Sequence, residues 1–157
     1  MKTVSIILIL TFWCIHIYCQ DSNKKLDFII VIDDNIATGS ISTVQLKTKT
    51  EGEKVISANY YPGSLELKNS DYTKLMSESG SIYLTFVYHE YDMNTQKNYS
   101  YELELKKPWF SDYYNIIRIY NLDKKKYKNK YKPLDKNRNY NFELESPSNS
   151  FKLVEKK

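Results

Sequence analysis

The sequence predicts an all-β protein: a single antiparallel β-sandwich, with a closed β-barrel as the competing architecture. Three observations lead there. Apolar and polar residues alternate with a period of two, most clearly in Ser81–Tyr91, SIYLTFVYHEY, and Tyr99–Leu105, YSYELEL. About eight or nine such runs follow one another at short spacing, with no convincing long helical pattern between them. The chain is rich in a β-former with a polar tip, carrying 15 Tyr against 4 Gly and 4 Pro.

The elements follow in chain order. Residues 27–32, DFIIVI, form a continuous apolar run whose length and branching suit a buried strand ending at Asp33-Asp34-Asn35. Residues 41–48 alternate. Residues 54–61 read as one strand stopped by Pro62-Gly63, and 64–68 as a short one. Between Asn69 and Gly80 there is room for one helical turn, capped by Asn69 or Ser70 and ended by the glycine. The runs 81–91 and 99–105, joined by the polar link MNTQKN, read as a hairpin. Strands are expected at 113–122, at 139–145 and, briefly, at 151–154. The general shape is immunoglobulin-like or transthyretin-like. The Cys and Trp spacing of true immunoglobulin domains is missing, as is a lipocalin-type Gly-x-Trp near the mature start.

The first 19 residues read as a secretory signal. Lys2 precedes an apolar run from Val4 to Cys19, broken by Ser5, Thr11 and His16. That run falls short of the roughly 20 residues needed to cross a bilayer. Cleavage after Cys19 leaves residues 20–157 as a single secreted, extracellular domain. The mature chain then holds no cysteine, because Cys14 and Cys19 leave with the signal. Disulfides, zinc–thiolate sites and a cysteine nucleophile are excluded with them. No second apolar run of spanning length follows, and no cofactor motif is present.

Charge is unevenly distributed. Residues 106–138 hold eleven Lys or Arg against three Asp, a local balance of +8, while the whole chain balances at only +4. Within this segment Lys124, Lys126, Lys128, Lys130 and Lys132 occupy alternate positions, with Tyr127 and Tyr131 between them. If extended, the segment lines five ammonium groups along one face about 6.8 Å apart, twice the strand rise. Such a row suits a polyanion such as a glycosaminoglycan, or an acidic protein surface. No motif for specific nucleic-acid reading accompanies it. If helical, the row disappears. Lysines on a strand edge also serve to prevent edge-to-edge association.

Other residues carry weaker signals. Asp33 and Asp34 bring oxygens to a strand end, as calcium loops do, but a hard cation needs six to eight ligands. Asp71, Asp92 and Asp112 are the acids available to join them; a plain turn is the commoner use of Asp and Asn. His89 is the sole histidine outside the signal, and alternation puts it on the face opposite Glu90, against an acid–base dyad. Asn98-Tyr99-Ser100 is an N-glycosylation sequon. Trp109 and Phe110, near Tyr113 and Tyr114, suit a packed loop better than a binding anchor. The function these readings imply is non-enzymatic binding of a partner outside the cell. The alternatives are a β-barrel carrier of a small apolar ligand and, last, a hydrolase relying on carboxylates.

Overall fold

A computed structural model describes residues 21–49, 54–93, 95–148, 150–153 and 155. The expected signal, residues 1–19, lies outside them. Of the described residues 55% lie in strands and 16% in helices, arranged as three sheets. One sheet orders β1 (Asn23–Leu26), β7 (Ser64–Lys68) and β6 (Asn59–Tyr61). The second orders β12 (Ser150–Phe151), β11 (Tyr140–Glu145), β10 (Asn115–Asn121), β2 (Phe28–Ile32) and β3 (Asn35–Ile36). The third orders β5 (Lys54–Ser57), β4 (Ile41–Thr48), β8 (Ile82–Asp92) and β9 (Thr95–Leu105). None of the three closes on itself, which removes the barrel.

The expectation of purely antiparallel pairing fails at one place. β2 and β10 run parallel, in register from Phe28↔Asn115 to Ile32↔Ile119. Strands paired on both sides and buried on both faces read as continuous apolar runs, and FIIVI is such a run. Its partner lies more than eighty residues away, so no local pattern announces the pairing.

All three sheets contribute to one core. It gathers Leu65 and Leu67 of β7, Ile30 and Ile32 of β2, Ile117 and Ile119 of β10, Leu84 and Phe86 of β8, and Leu103 and Leu105 of β9. Each such side chain, fully covered, contributes about 1.5–3 kcal/mol of transfer free energy. Trp109 and Phe110 sit in the same core on a 3-10 turn, Lys107–Ser111, whereas Tyr113 and Tyr114 stay exposed. The hairpin of β8 and β9 is long, with register pairs from Ile82↔Leu105 to Asp92↔Thr95. Its strands therefore extend into the stretch read as a polar link.

Two elements differ in kind. Residues 54–61 are two strands rather than one. The chain passes from the sheet of β4 to that of β7 at Ala58, whose N–H donates to Val44 O at 2.9 Å. Residues 69–77 form a nine-residue helix, α1 (Asn69–Ser77). Its first turn is served by the Asp21 carboxylate, which accepts from Ser70 N–H at 3.1 Å. Its last carbonyls accept from the Lys107 ammonium, which bonds Met76 O at 3.0 Å and also Glu78 O.

Candidate functional site: the basic helix and the cleft beside β9

The lysine segment is not extended. Residues 125–130 form α2 (Lys125–Lys130), with Lys124 as its N-cap residue and Tyr131 at its C-cap. The tyrosines explain this. Tyr127 and Tyr131 are four apart, so a helical turn puts both on one side. There they pack on Tyr120 at ring-centroid separations of 5.1 and 5.0 Å, in a small cluster with Leu122 and Leu153. Lys126, Lys128 and Lys130 then spread around the axis, Lys124 and Lys132 flank the helix, and the straight row is lost.

Three of the five meet acids. Lys124 Nζ lies 2.8 Å from Asp33 Oδ2 and 2.5 Å from Glu90 Oε1. Lys126 Nζ lies 2.5 Å from Asp34 Oδ2, and Lys130 Nζ 2.9 Å from Glu155 Oε1. Lys128 is also partnered, whereas the exposed Lys125 and Lys132 have no acidic partner among the described residues. The imbalance counted along the chain is thus largely offset in space.

The centre of this clamp is the Asp33–Asp34 turn. β2 and β3 pair with Ile32 opposite Asn35, leaving a two-residue loop with φ of 51° at Asp33 and 68° at Asp34. Positive φ at both positions is what a type I′ hairpin needs, and Asp tolerates it better than most residues. Asp33 is then bound by its surroundings. Its Oδ1 accepts from the Asn121 backbone N–H and its Oδ2 from Asn121 Nδ2, both at 2.8 Å. Asn121 Oδ1 in turn accepts from the Tyr101 hydroxyl at 2.9 Å. Asp34 Oδ2 accepts from the Tyr127 hydroxyl at 2.8 Å.

This placement leaves little room for the calcium reading. Nitrogen donors take the oxygens of Asp33. Asp71 faces Lys74, Asp92 bonds the Met93 N–H and Asp112 accepts from Ser148. No group of three or more His, Cys, Asp or Glu able to hold a metal ion occurs among the described residues.

The electrostatics follow the geometry. The hydrogen bond from Lys124 holds the Glu90 carboxyl below its ordinary value, and those from Lys126 and Tyr127 do the same for Asp34. Partial burial works against the Lys124 charge, but its bonds to Asp33 and Glu90 outweigh it and raise the pKa above the lysine value. Burial, with the Asp34 carboxylate beside it, pushes the Tyr127 hydroxyl up to about 12. All these groups stay in their ordinary charge states near neutrality, so the network is a fixed ionic clamp and not a proton relay.

Beside it opens a cleft of about 590 Å³, along the free edge of β9. Its lining is rich in amides and hydroxyls, among them Gln45, Thr85, Asn98 and Ser100, with tyrosines at its edge. Tyr99 and Tyr101 stack nearly parallel at 6.4 Å, and Tyr140 meets Tyr101 edge-on at 4.9 Å. The Tyr140 hydroxyl caps the strand edge: it accepts from Glu102 N–H at 2.8 Å and donates to Glu102 O at 2.9 Å. Because peptide groups alternate along a strand, Ser100 and Asn98 turn theirs toward the same open side. Arg138 lies 3.8 Å from Glu102 Oε1, so the charged groups of the cleft offset each other.

The sequon residue Asn98 is exposed on β9 opposite His89. His89 does not meet Glu90, which faces Lys124. Instead its ring contacts Asn98 on one side and Ser42 on the other. Sequence reasoning missed Ser42, Tyr101, Asn121 and Arg138. Asn121 and Asp33 are 88 positions apart, and only a hydrophilic residue at an otherwise apolar strand end hints at the pairing.

No protein-family model, curated protein or solved structure matches this chain.

Proposed function

We propose that the protein is a secreted β-sandwich that binds a neutral, hydroxyl-rich ligand, such as an oligosaccharide, in the cleft beside β9. The observation that carries this reading is the lining. Amides and hydroxyls both donate and accept, tyrosine rings add apolar surface, and the two lining charges are compensated, Glu102 by Lys49 and Arg138, and Arg138 also by Asp135. An apolar carrier needs an enclosed apolar space; this one is open, with amides and hydroxyls set among its apolar surface, and no barrel surrounds it. The two-layer arrangement is supported by the common core under all three sheets. Among the described residues no helix is long and apolar enough to cross a membrane. Removal of residues 1–19 is read out by N-terminal sequencing of exported protein, which should begin at Gln20.

A second reading keeps the basic segment as the docking surface for a glycosaminoglycan or an acidic protein, favoured by the exposed Lys125 and Lys132, which meet no acid among the described residues. One set of titrations separates the two. Neutral oligosaccharides and heparin are each titrated at about 50 and 500 mM salt. Neutral binding that survives high salt and is lost in Gln45→Ala and Tyr99→Ala supports the cleft. Heparin binding that collapses with salt and with Lys125→Gln/Lys132→Gln, beside no neutral binding, overturns it.

A further inference from the structure

Beyond binding, the geometry points to Ser42, His89 and Asn98 as an acyl-transfer triad that hydrolyses small carboxylic esters. The three side chains come from three neighbouring strands and meet on the face of the sheet turned away from the core. Ser42 Oγ is 2.7 Å from His89 Nε2. His89 Nδ1 is 2.8 Å from Asn98 Oδ1, which only accepts. The proton therefore sits on Nδ1, and the Nε2 lone pair faces the serine hydroxyl. Gln96 Nε2 donates to the same Asn98 oxygen at 3.0 Å and fixes the amide; its 3.2 Å approach to Nδ1 is then a contact between two donors. Nucleophile, base and orienting group stand in the order that serine acyl transfer requires, with the orienting carboxylate replaced by an amide.

The backbone gives an independent observation. Thr43, next to Ser42, has φ of 53°, an outlier for a β-branched residue. Strain of this kind collects where a side chain must be presented. Here a bulge breaks the ladder between Ser42 and Gln45, and Thr43 has no register partner on β8 or β5. Its N–H is the peptide donor directly after the serine, the position of one oxyanion donor in acyl-transferring serine enzymes.

The reaction balances without a cofactor. Ser42 Oγ attacks the ester carbonyl carbon as its proton passes to His89 Nε2, and the carbonyl oxygen takes the negative charge. Collapse breaks the ester C–O bond, and the leaving alkoxide takes the proton from His89. Water then attacks the acyl-serine with His89 as base, releasing the carboxylic acid and restoring the serine. Ser42 and His89 are the catalytic residues; Asn98 and Gln96 are positioning residues. Thr43, Val87 and Asn98 also line the cleft, but the proposal holds whichever ligand the cleft takes.

The test is incubation of the full chain with a fluorophosphonate probe, read by intact mass and peptide mapping, beside turnover of p-nitrophenyl acetate. One phosphonyl adduct on Ser42 is expected. Ser42→Ala should abolish it, and His89→Gln should slow it by about 10²–10⁴-fold with an unchanged circular-dichroism spectrum. Asn98→Asp should move the pH dependence of labelling to higher pH, since a carboxylate at Nδ1 favours the imidazolium; an unmoved profile would mean that His89 is not the base and overturns the triad. Nitrogen-15 shifts of the ring should report the Nδ1–H tautomer. Absence of an adduct on Ser42, labelling undiminished in His89→Gln, or an Nε2–H tautomer overturns the proposal.

Discussion

Replacement of Lys124 by methionine removes the ammonium between Asp33 and Glu90 and keeps most of the stem. The Lys124 side chain is 34% exposed, Asp33 only 6% and Glu90 29%. Breaking a fully buried pair costs about 3–5 kcal/mol, whereas an exposed pair is worth about 0.2–1 kcal/mol. Lys124 lies between these limits, and Asp33 keeps its two bonds from Asn121, so the expected loss is about 1–3 kcal/mol. Lys126, 68% exposed with Asp34 at 56%, should cost less than Lys124 on the same change, because solvent screens an exposed pair. Urea unfolding followed by tryptophan fluorescence measures both. With a slope of about 1–3 kcal/mol/M, Lys124→Met should lower the midpoint by roughly 1 M at an unchanged slope. Equal costs for the two variants, or a Lys124→Met midpoint indistinguishable from the parent, would refute the clamp.

Three further outcomes follow. Glu90 is held below its ordinary 4.5, so its contribution is present above that pH and is lost as pH falls below it; Lys124 is held above 10.5, so its contribution is present below that pH and is lost as pH rises beyond it. Urea midpoints taken across pH should show a central plateau with both flanks shallower in Lys124→Met, and a parent-like profile in the variant contradicts the assignment. Tyr140→Phe uncaps the Glu102 peptide; it should cost about 1–3 kcal/mol and promote concentration-dependent self-association through the β9 edge, visible by light scattering. Asn98 should carry an N-glycan when the chain passes through a eukaryotic secretory pathway, seen as a mass difference that Asn98→Gln removes.

Much of the sheet structure was legible because strands with one buried face must alternate. β4 and β7 have the bounds their patterns suggest, and β8 with β9 is the hairpin that two alternating runs imply. Failure came where the deciding interaction is remote. Ala58 looks like the middle of one strand, yet its two sides belong to different sheets. The five-residue run at β2 signals burial without saying that its neighbour runs parallel. Of the site residues, Asp33 and Asp34 were visible as a polar strand end and Lys124 and Lys126 as part of a basic run, but their pairing with one another, and the part of Asn121, were not. His89 was visible as a lone titratable group, while Ser42 reaches it only through a bulge that no period predicts.

The basic segment shows why charge spacing is a poor guide to geometry. Lysines at alternate positions are compatible with a strand, but a charge in water has little preference for where it points, so lysines follow the backbone and do not set it. The residues with a preference are the tyrosines between them. Tyr127 and Tyr131 obey a helical spacing of four as well as an extended spacing of two, and the docking surface at Tyr120 and Leu122 selects the former. Once the helix forms, its lysines reach acids that stand 34 and 92 positions away. A local excess of charge along a chain therefore becomes a surface potential only after the fold has chosen its neighbours. Here the neighbours are carboxylates, which makes the segment an internal clamp first and limits its open cations to the few that the clamp leaves over.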